Sequence, residues 1–204
     1  MRLAREFRFD GDRVRVRRAG RGVLVEPVFT DVAAWFAELD RLASEPFLPE
    51  GRQQPTDTGA RRIRMTTYLL DTNACIALIN GTETNVRRRF QRAVAREGVI
   101  VLSSIVAFEL WCGVGKSQRK ASNTQRLEAF LAGPLEWTLF DEDDARAAGT
   151  VRADLEAVGK PVGAYDVLLA GQARRRGATL VTSNTKGFAR VQRLKWEDWA
   201  ASRR

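Results

Sequence analysis

The sequence predicts an α/β fold with a mostly parallel central sheet flanked by helices. From Thr66 onward, short apolar runs of strand length alternate with longer stretches of helical periodicity. This alternation indicates strands joined by crossover helices, which cover both faces of a sheet. The chain of 204 residues, 44% hydrophobic and 29% charged, is long enough for one globular domain of ordinary size and an appendage.

Residues 1–30 predict a small β segment without a core of its own. The stretch RVRVRR alternates valine with arginine, residues 19–22 are typical of a turn, and VLVEP completes a hairpin. A two-stranded ribbon of this kind cannot hold a core alone.

Residues 31–54 predict a helix followed by an extended tail, and residues 55–65 predict a linker without periodicity. Asp31 is the expected N-cap of the helix. Because little apolar sequence surrounds this helix, a partner-binding helix is favoured over the core helix of a separate domain. The expected partner-binding anchors are Trp35, Phe36, Leu39, Phe47 and Leu48.

Residues 66–204 form the predicted α/β domain. Strands are expected at residues 68–70, 99–102, 136–140 and 179–181 and near residue 194. Helices are expected at residues 74–79, 85–96, 104–113, 124–131, 142–158 and 164–175.

Three acidic residues of this domain stand in apolar surroundings. Asp71 follows the strand at residues 68–70, at the carboxyl edge of the sheet where ligands bind in open α/β folds. Glu109 is flanked by apolar residues, and Asp166 is the single acid of an apolar helical run. Each also has a plainer interpretation, as a cap, a paired core acid or a dipole-stabilising acid.

Thr182 and Asn184 follow the strand at residues 179–181 and reach the same edge, although a helix cap is an alternative role for Asn184. Together with the three acids they form an all-oxygen set, which Mg²⁺ or Mn²⁺ prefers. The chain has no histidine, so a phosphodiesterase here needs a carboxylate base or a metal-activated water. The net charge of +9 indicates a polyanionic partner such as nucleic acid.

Membrane and disulfide chemistry are not expected. No apolar run approaches the roughly 20 residues that cross a bilayer, and the N-terminus lacks a signal-peptide core, which predicts a cytoplasmic protein. Cys75 and Cys112 lie in apolar sequence and are predicted to be buried free thiols.

Four motifs, LLDTN, SSIVAFEL, GAYDVLLAGQA and LVTSNTKGF, resemble in this order the PIN domain of VapC toxins from type II toxin-antitoxin pairs. The resemblance covers residues 65–204. It implies a PIN-like, Mg²⁺- or Mn²⁺-dependent endoribonuclease that pairs through this domain, with Asp71, Glu109 and Asp166 as catalytic and metal-binding acids. It also implies supporting positions at Asn73, Thr182 and Asn184.

The N-terminal third resembles an antitoxin. REFRFDGDRVRVRRAGRGVLVEP is similar to the later part of an AbrB-like DNA-binding domain, and the following helix and FLPEGRQQP are similar to the toxin-binding tail of VapB. The resemblance implies a VapB–VapC fusion whose N-terminal segment, from the same or a neighbouring chain, inhibits the nuclease. Arg52 aligns with an arginine that enters the acidic pocket, where a guanidinium can pair with carboxylates.

Two alternatives stay open. One is a DNA-binding autoregulatory complex with a permanently plugged nuclease site, and the other is a metal-free nucleotide-binding domain. A glycine-rich phosphate loop would favour the second, and the sequence has none. Arg174, Arg175 and Arg176 either guide RNA or form a solvated helix end.

Overall fold

Strands and helices alternate along the chain. The computed structural model describes residues 14–19, 22–27, 31–43, 45–48 and 66–201. The elements found in these ranges are β1 (Val14–Ala19), β2 (Gly22–Pro27), α1 (Val32–Arg41), β3 (Thr67–Leu70), α2 (Thr72–Asn80), α3 (Thr84–Ala95), β4 (Val99–Ser103), α4 (Ser104–Lys116), α5 (Lys120–Leu131), β5 (Glu136–Thr138), α6 (Glu142–Ala157), α7 (Ala164–Arg176), β6 (Thr179–Val181), α8 (Thr185–Phe188) and β7 (Lys195–Glu197).

A five-stranded sheet of order β5-β4-β3-β6-β7 forms the centre of the α/β domain. All of its pairings are parallel, which confirms the predicted architecture. In the register, Leu70 of β3 lies opposite Leu102 of β4 and Val181 of β6. The residues that follow these strands therefore emerge at one edge of the sheet.

The hairpin and the first helix follow the sequence pattern. β1 and β2 pair antiparallel, with Val14 opposite Pro27 and Ala19 opposite Gly22. Asp31 caps α1, since its side chain accepts a hydrogen bond from the Ala33 N–H at 2.8 Å.

One predicted boundary was wrong, and one short helix was missed. The expected strand at residues 136–140 ends at Thr138, because Phe140 N–H donates to Ser104 Oγ at 3.1 Å and the chain turns into α6. The short helix α8 was not predicted, and its N-cap is Asn184. Four residues give too little periodicity for a helix to be recognised.

Helices α6 and α7 pack closely against each other. At Gly171, a Cβ would stand 2.4 Å from the backbone N and Cα of Ala148. Only glycine fits there without moving a helix. Among the residues that the structure describes, no helix is long and apolar enough to cross a membrane.

Candidate functional site

Asp71 lies at the carboxyl end of the central strand. Its backbone N–H continues the sheet pairing by donating to Val181 O at 3.0 Å, and its side-chain Oδ1 accepts from the Ala74 N–H at 2.7 Å. Asp71 is therefore the N-cap of α2, and it is 5% exposed. The cap is the plainer role that the sequence left open for Asp71. It fixes the carboxylate at the edge of the sheet.

Glu109 approaches the same region from α4. Its Oε2 accepts a hydrogen bond from Thr72 Oγ1 at 2.5 Å, so the first turn of α2 and the middle of α4 are joined directly. Of the neighbouring positions in LLDTN, Thr72 makes this contact, whereas Asn73 is the next, partly buried residue of the helix. Glu109 itself is partly exposed, unlike Asp71.

Asp166 and Asn184 form the third part of the site. Asp166, in the first turn of α7 and 2% exposed, accepts a hydrogen bond from Asn184 Nδ2 at 3.2 Å. Asn184 also caps α8 through Oδ1, which accepts from the Gly187 N–H at 3.2 Å. Its own N–H donates to Thr182 Oγ1 at 2.9 Å, and Thr182 is buried. Asn184 is therefore a helix cap that also contacts Asp166, and its supporting role in the site stays a prediction.

Cys75 lies beneath two of these acids. Burial raises the pKa of the Cys75 thiol well above its usual value, and the negative charges of Asp71 and Glu109 raise it further. Both carboxylates therefore disfavour ionisation of the same buried thiol. The prediction of a buried thiol is correct for Cys75 but wrong for Cys112, which is partly exposed.

The chemistry of these side chains suits a hard divalent cation. The candidate residues after β3, on α4 and α7 and after β6 offer carboxylate, hydroxyl and amide oxygens, and ligands of this kind fit Mg²⁺ or Mn²⁺. Across the described ranges, however, no group of three or more Asp, Glu, His or Cys side chains stands close enough to hold a metal ion. The hydrogen-bonded pairs are Thr72 with Glu109 and Asn184 with Asp166. Sharing of one cation by all three acids stays a prediction.

A cavity of about 800 Å³ opens beside Glu109. Its wall includes Thr72, Glu109 and Cys112 from the α/β domain and Leu48 from the N-terminal segment. One of the three acids, Glu109, therefore borders a space large enough for a substrate group, and the N-terminal segment borders the same space.

The N-terminal helix packs its apolar face on the α/β domain. Trp35 is fully buried, and its ring lies 5.0, 5.3 and 5.5 Å from the rings of Phe36, Phe90 and Phe130. Its indole Nε1–H donates to Ala129 O at 2.9 Å. The surface that Trp35 contacts thus belongs to α3 and α5 of the same chain.

Two glycines of the domain make room for these anchors. A Cβ on Gly133 would stand 2.3 Å from the Trp35 ring, and one on Gly113 would stand 2.7 Å from the side chain of Leu48. Phe47 is also fully buried, as is Leu39. These contacts account for the five predicted anchors, while Arg52 lies outside the described residues.

Polar contacts hold the same segment, and little in the sequence pointed to them. Arg87 Nη1 lies 2.8 Å from both carboxylate oxygens of Asp40, and its Nε donates to Leu78 O at 3.1 Å. Asn80 Oδ1 accepts from Phe47 N–H at 2.5 Å, and its Nδ2 donates to Phe47 O at 2.9 Å. Asn80 ends an apolar helical run, which is a weak signal for a buried polar partner.

Arg126 is the clearest residue that sequence reasoning missed. It is 2% exposed, and its Nη1 donates to Glu45 O at 2.5 Å while Nη2 donates to Ile79 O at 3.1 Å. Burial lowers the pKa of this guanidinium. A charged residue inside an amphipathic helix is ordinarily solvent-exposed, so its position alone did not mark it.

The arginines at the end of α7 contact acids of the same chain. Arg175 Nε and Arg176 Nη2 lie 2.7 and 2.8 Å from the two oxygens of Asp144, which is fully buried. Arg174 Nη2 donates to the backbone oxygen of Ala147 at 3.3 Å. These contacts favour a structural role for the three arginines over the guidance of RNA.

The fold and the site together define a class. A five-stranded parallel sheet that collects buried acids at its carboxyl edge, covered by helices, is the architecture of a PIN-like nuclease domain. The chain matches the PIN domain family over residues 68–194. It therefore belongs to the PIN domain family.

Similarity to individual proteins narrows the class. The chain is 38% identical over 136 residues to the tRNA(fMet)-specific endonuclease VapC of Shigella flexneri, covering 67% of this chain and all (100%) of that protein. It is 38% identical over 132 residues to Ribonuclease VapC2 of Rickettsia felis, covering 65% and 97% of the two chains. The structure of VapBC2 from Rickettsia felis bound to a DNA fragment from the promoter gives a TM-score of 0.62 at 36% identity, covering 66% and 99%. The chain is a VapC-type PIN ribonuclease of the toxin-antitoxin class.

Proposed function

We propose that this protein is a Mg²⁺- or Mn²⁺-dependent endoribonuclease that hydrolyses phosphodiester bonds of RNA at Asp71, Glu109 and Asp166. The proposal is supported by the position of Asp71 at the carboxyl edge of the sheet and by two hydrogen bonds, which hold Glu109 to Thr72, the residue after Asp71, and Asp166 to Asn184. RNA as the substrate is supported by the relatives named endonuclease and ribonuclease. A cytoplasmic location, which the sequence predicts, is part of the same proposal.

Each acid has a distinct place in this mechanism. A divalent cation held by these acids would supply Lewis acidity and would neutralise charge on the attacked phosphate. Asp71 is held by its cap to Ala74, and Thr72 and Asn184 orient Glu109 and Asp166. Glu109 is the acid that borders the cavity, so it is the one that meets the incoming phosphodiester or its water.

We further propose that residues 1–54 act as an antitoxin-like inhibitor of this site. The support is the burial of Trp35 and Phe47 on the domain, together with the position of Leu48 at the wall of the cavity that contains Glu109. Arg52, four residues after Leu48, is the residue proposed to enter the acidic pocket. Related solved structures are complexes of VapB and VapC, which supports an antitoxin as the partner.

Cleavage of a labelled RNA by the full chain, before and after proteolysis between residues 52 and 65, tests both proposals. We expect slow cleavage by the intact chain and faster cleavage after the cut, and we expect EDTA to stop both reactions. Equal rates before and after the cut would contradict the inhibition. Cleavage that EDTA leaves unchanged would contradict the dependence on metal.

A second function is favoured by one observation. The VapBC structures from Rickettsia felis and from Salmonella typhimurium both contain bound DNA. The alternative proposal is therefore a DNA-binding autoregulatory complex with a plugged nuclease site. It predicts specific operator binding that weakens with salt, and no RNA cleavage even after the cut. Pairing of two chains through the PIN domain is part of either proposal.

A further inference from the structure

Two aromatic rings stand beside the candidate site without belonging to the core. Phe108 precedes Glu109 on α4, and Tyr165 precedes Asp166 on α7. Their ring centroids are 5.5 Å apart with an interplanar angle of 54°. Phe108 is 51% exposed and Tyr165 is 41% exposed, so about half of each ring meets solvent. The pair bridges the two helices that carry two of the acids.

Both rings line the cavity that Glu109 borders. Leu48 of the N-terminal segment also lines this cavity, but both rings remain exposed. Because the rings touch each other at 5.5 Å, no planar group fits between them. A planar ligand has to stack on the outer faces of the pair.

The cavity wall also includes a positively charged side chain, which a polynucleotide can contact. Lys116 is exposed and lies two helical turns beyond Glu109 on the same face of α4. The cavity therefore has an aromatic surface beside Glu109 and a cation farther along. Aromatic faces and a positive groove are the two features by which proteins bind single-stranded nucleic acids.

From this geometry we propose that Phe108 and Tyr165 form a stacking platform for an unpaired nucleobase of single-stranded RNA. Lys116 contacts a phosphate of the same strand. The platform fixes the base, and the sugar-phosphate backbone then passes Glu109. Because stacking accepts any base, the platform selects unpaired over double-stranded RNA rather than a particular sequence. The inference rests on the proposed ribonuclease function, whose substrate it narrows.

Fluorescence of a single-stranded RNA oligonucleotide that carries 2-aminopurine tests the platform on the intact chain in EDTA, where binding is measured without cleavage. We expect quenching on binding by the unchanged chain. Phe108→Leu and Tyr165→Leu keep apolar volume but remove the rings, so we expect less quenching and binding about five-fold weaker or more. Tyr165→Phe keeps the ring and should bind like the unchanged chain.

Two matched controls come from the same region. Trp111 is 40% exposed on α4 but is not part of the cavity wall, so Trp111→Leu should leave quenching and affinity unchanged. Lys116→Ala should reduce the slope of log affinity against log salt by about 0.7, the contribution of one phosphate contact on a single strand. Lys120→Ala, an exposed lysine at the start of α5, should leave the slope unchanged.

Unchanged quenching in both leucine variants would overturn the platform. The platform would also be overturned if these variants had a lower sedimentation coefficient and still bound RNA. The rings would then belong to an interface with a second copy of the chain. Quenching that depends on the rings in a protein that never cleaves RNA would leave the platform standing and reject the nuclease. If the chain cleaves RNA and neither leucine variant changes KM, the nuclease would stand and the platform would be rejected.

Discussion

Thr72 and Glu109 share a hydrogen bond of 2.5 Å between the residue that follows Asp71 and the middle of α4. Thr72 is 7% exposed and Glu109 is partly exposed, so this bond is partly buried. The hydroxyl donates, and the bond fixes the orientation of the carboxylate. The bond therefore joins Glu109 on α4 to the residue after Asp71, although the two acids are 38 positions apart in sequence.

Removal of this hydroxyl should impair catalysis more than folding. We expect Thr72→Val to lower the rate of metal-dependent RNA cleavage about 10- to 100-fold, the usual effect of losing a residue that orients a metal ligand. Thr72→Ser keeps the donor and should retain most of the rate. Cleavage assays and thermal melts of both variants check this. A valine variant as active as the serine variant would show that the bond has no role in cleavage.

Arg87 should hold the N-terminal helix on the domain. Arg87→Ala removes the contacts with Asp40 and Leu78 O and the guanidinium over the Phe36 ring, 4.6 Å from its centroid. We expect faster proteolysis around α1 and a higher rate of RNA cleavage, because the inhibitory segment detaches more often. Arg88→Ala removes the same charge from an exposed neighbour and should change neither rate. An Arg87 variant that matches the Arg88 variant would contradict this docking role.

The two glycines of α6 and α7 should respond in opposite directions to the same substitution. Gly171→Ala forces a Cβ against the backbone of Ala148, so we expect a loss of about 2 kcal/mol or more in the free energy of unfolding. A Cβ added at the exposed Gly149 would meet nothing within 4 Å, so Gly149→Ala should stabilise α6 by up to about 1 kcal/mol. Chemical denaturation of both variants measures the difference, and equal effects would contradict the packing described for α6 and α7.

Asp144 should make the free energy of unfolding depend on pH. Burial by itself would raise the pKa of Asp144, but hydrogen bonds from Arg176 and Arg175 outweigh it and hold that pKa well below its usual value of 3.8. A carboxyl with a lowered pKa in the folded state stabilises the fold above the unfolded pKa, and this contribution is lost as pH falls through the folded pKa. The stabilisation is therefore complete above about pH 4 and declines below it.

Asp144→Asn isolates that contribution. At pH 7 we expect a loss of about 2 kcal/mol, less than for a fully buried ion pair because the arginines stay about one third exposed. The difference between the two proteins should shrink as the pH falls from about 4 towards about 2. Unfolding free energies across this range check the prediction. A difference that is constant with pH would mean that the aspartate charge does not stabilise the fold.

The parallel sheet and the positions of the acids followed from the sequence, because both depend on local patterns. A buried strand that ends at Asp71 and another that ends before Thr182 necessarily meet at one edge once the strands are parallel. The partners of the N-terminal segment did not follow, since Arg126 and Asn80 lie far from Glu45 and Phe47 in sequence. Contacts of this kind depend on the tertiary arrangement, which cannot be predicted from the hydrophobic periodicity of the sequence.

The rate of Mg²⁺-dependent RNA cleavage by Asp71→Asn, measured after the cut between residues 52 and 65, tests the central claim most directly. The asparagine keeps an oxygen that can cap α2 through the Ala74 N–H, so the melting temperature should stay unchanged. Asp143→Asn, an exposed acid of α6, serves as the control and should cleave like the unchanged chain. We predict no detectable cleavage by the Asp71 variant. Cleavage at the rate of the Asp143 control would contradict the assignment of the active site.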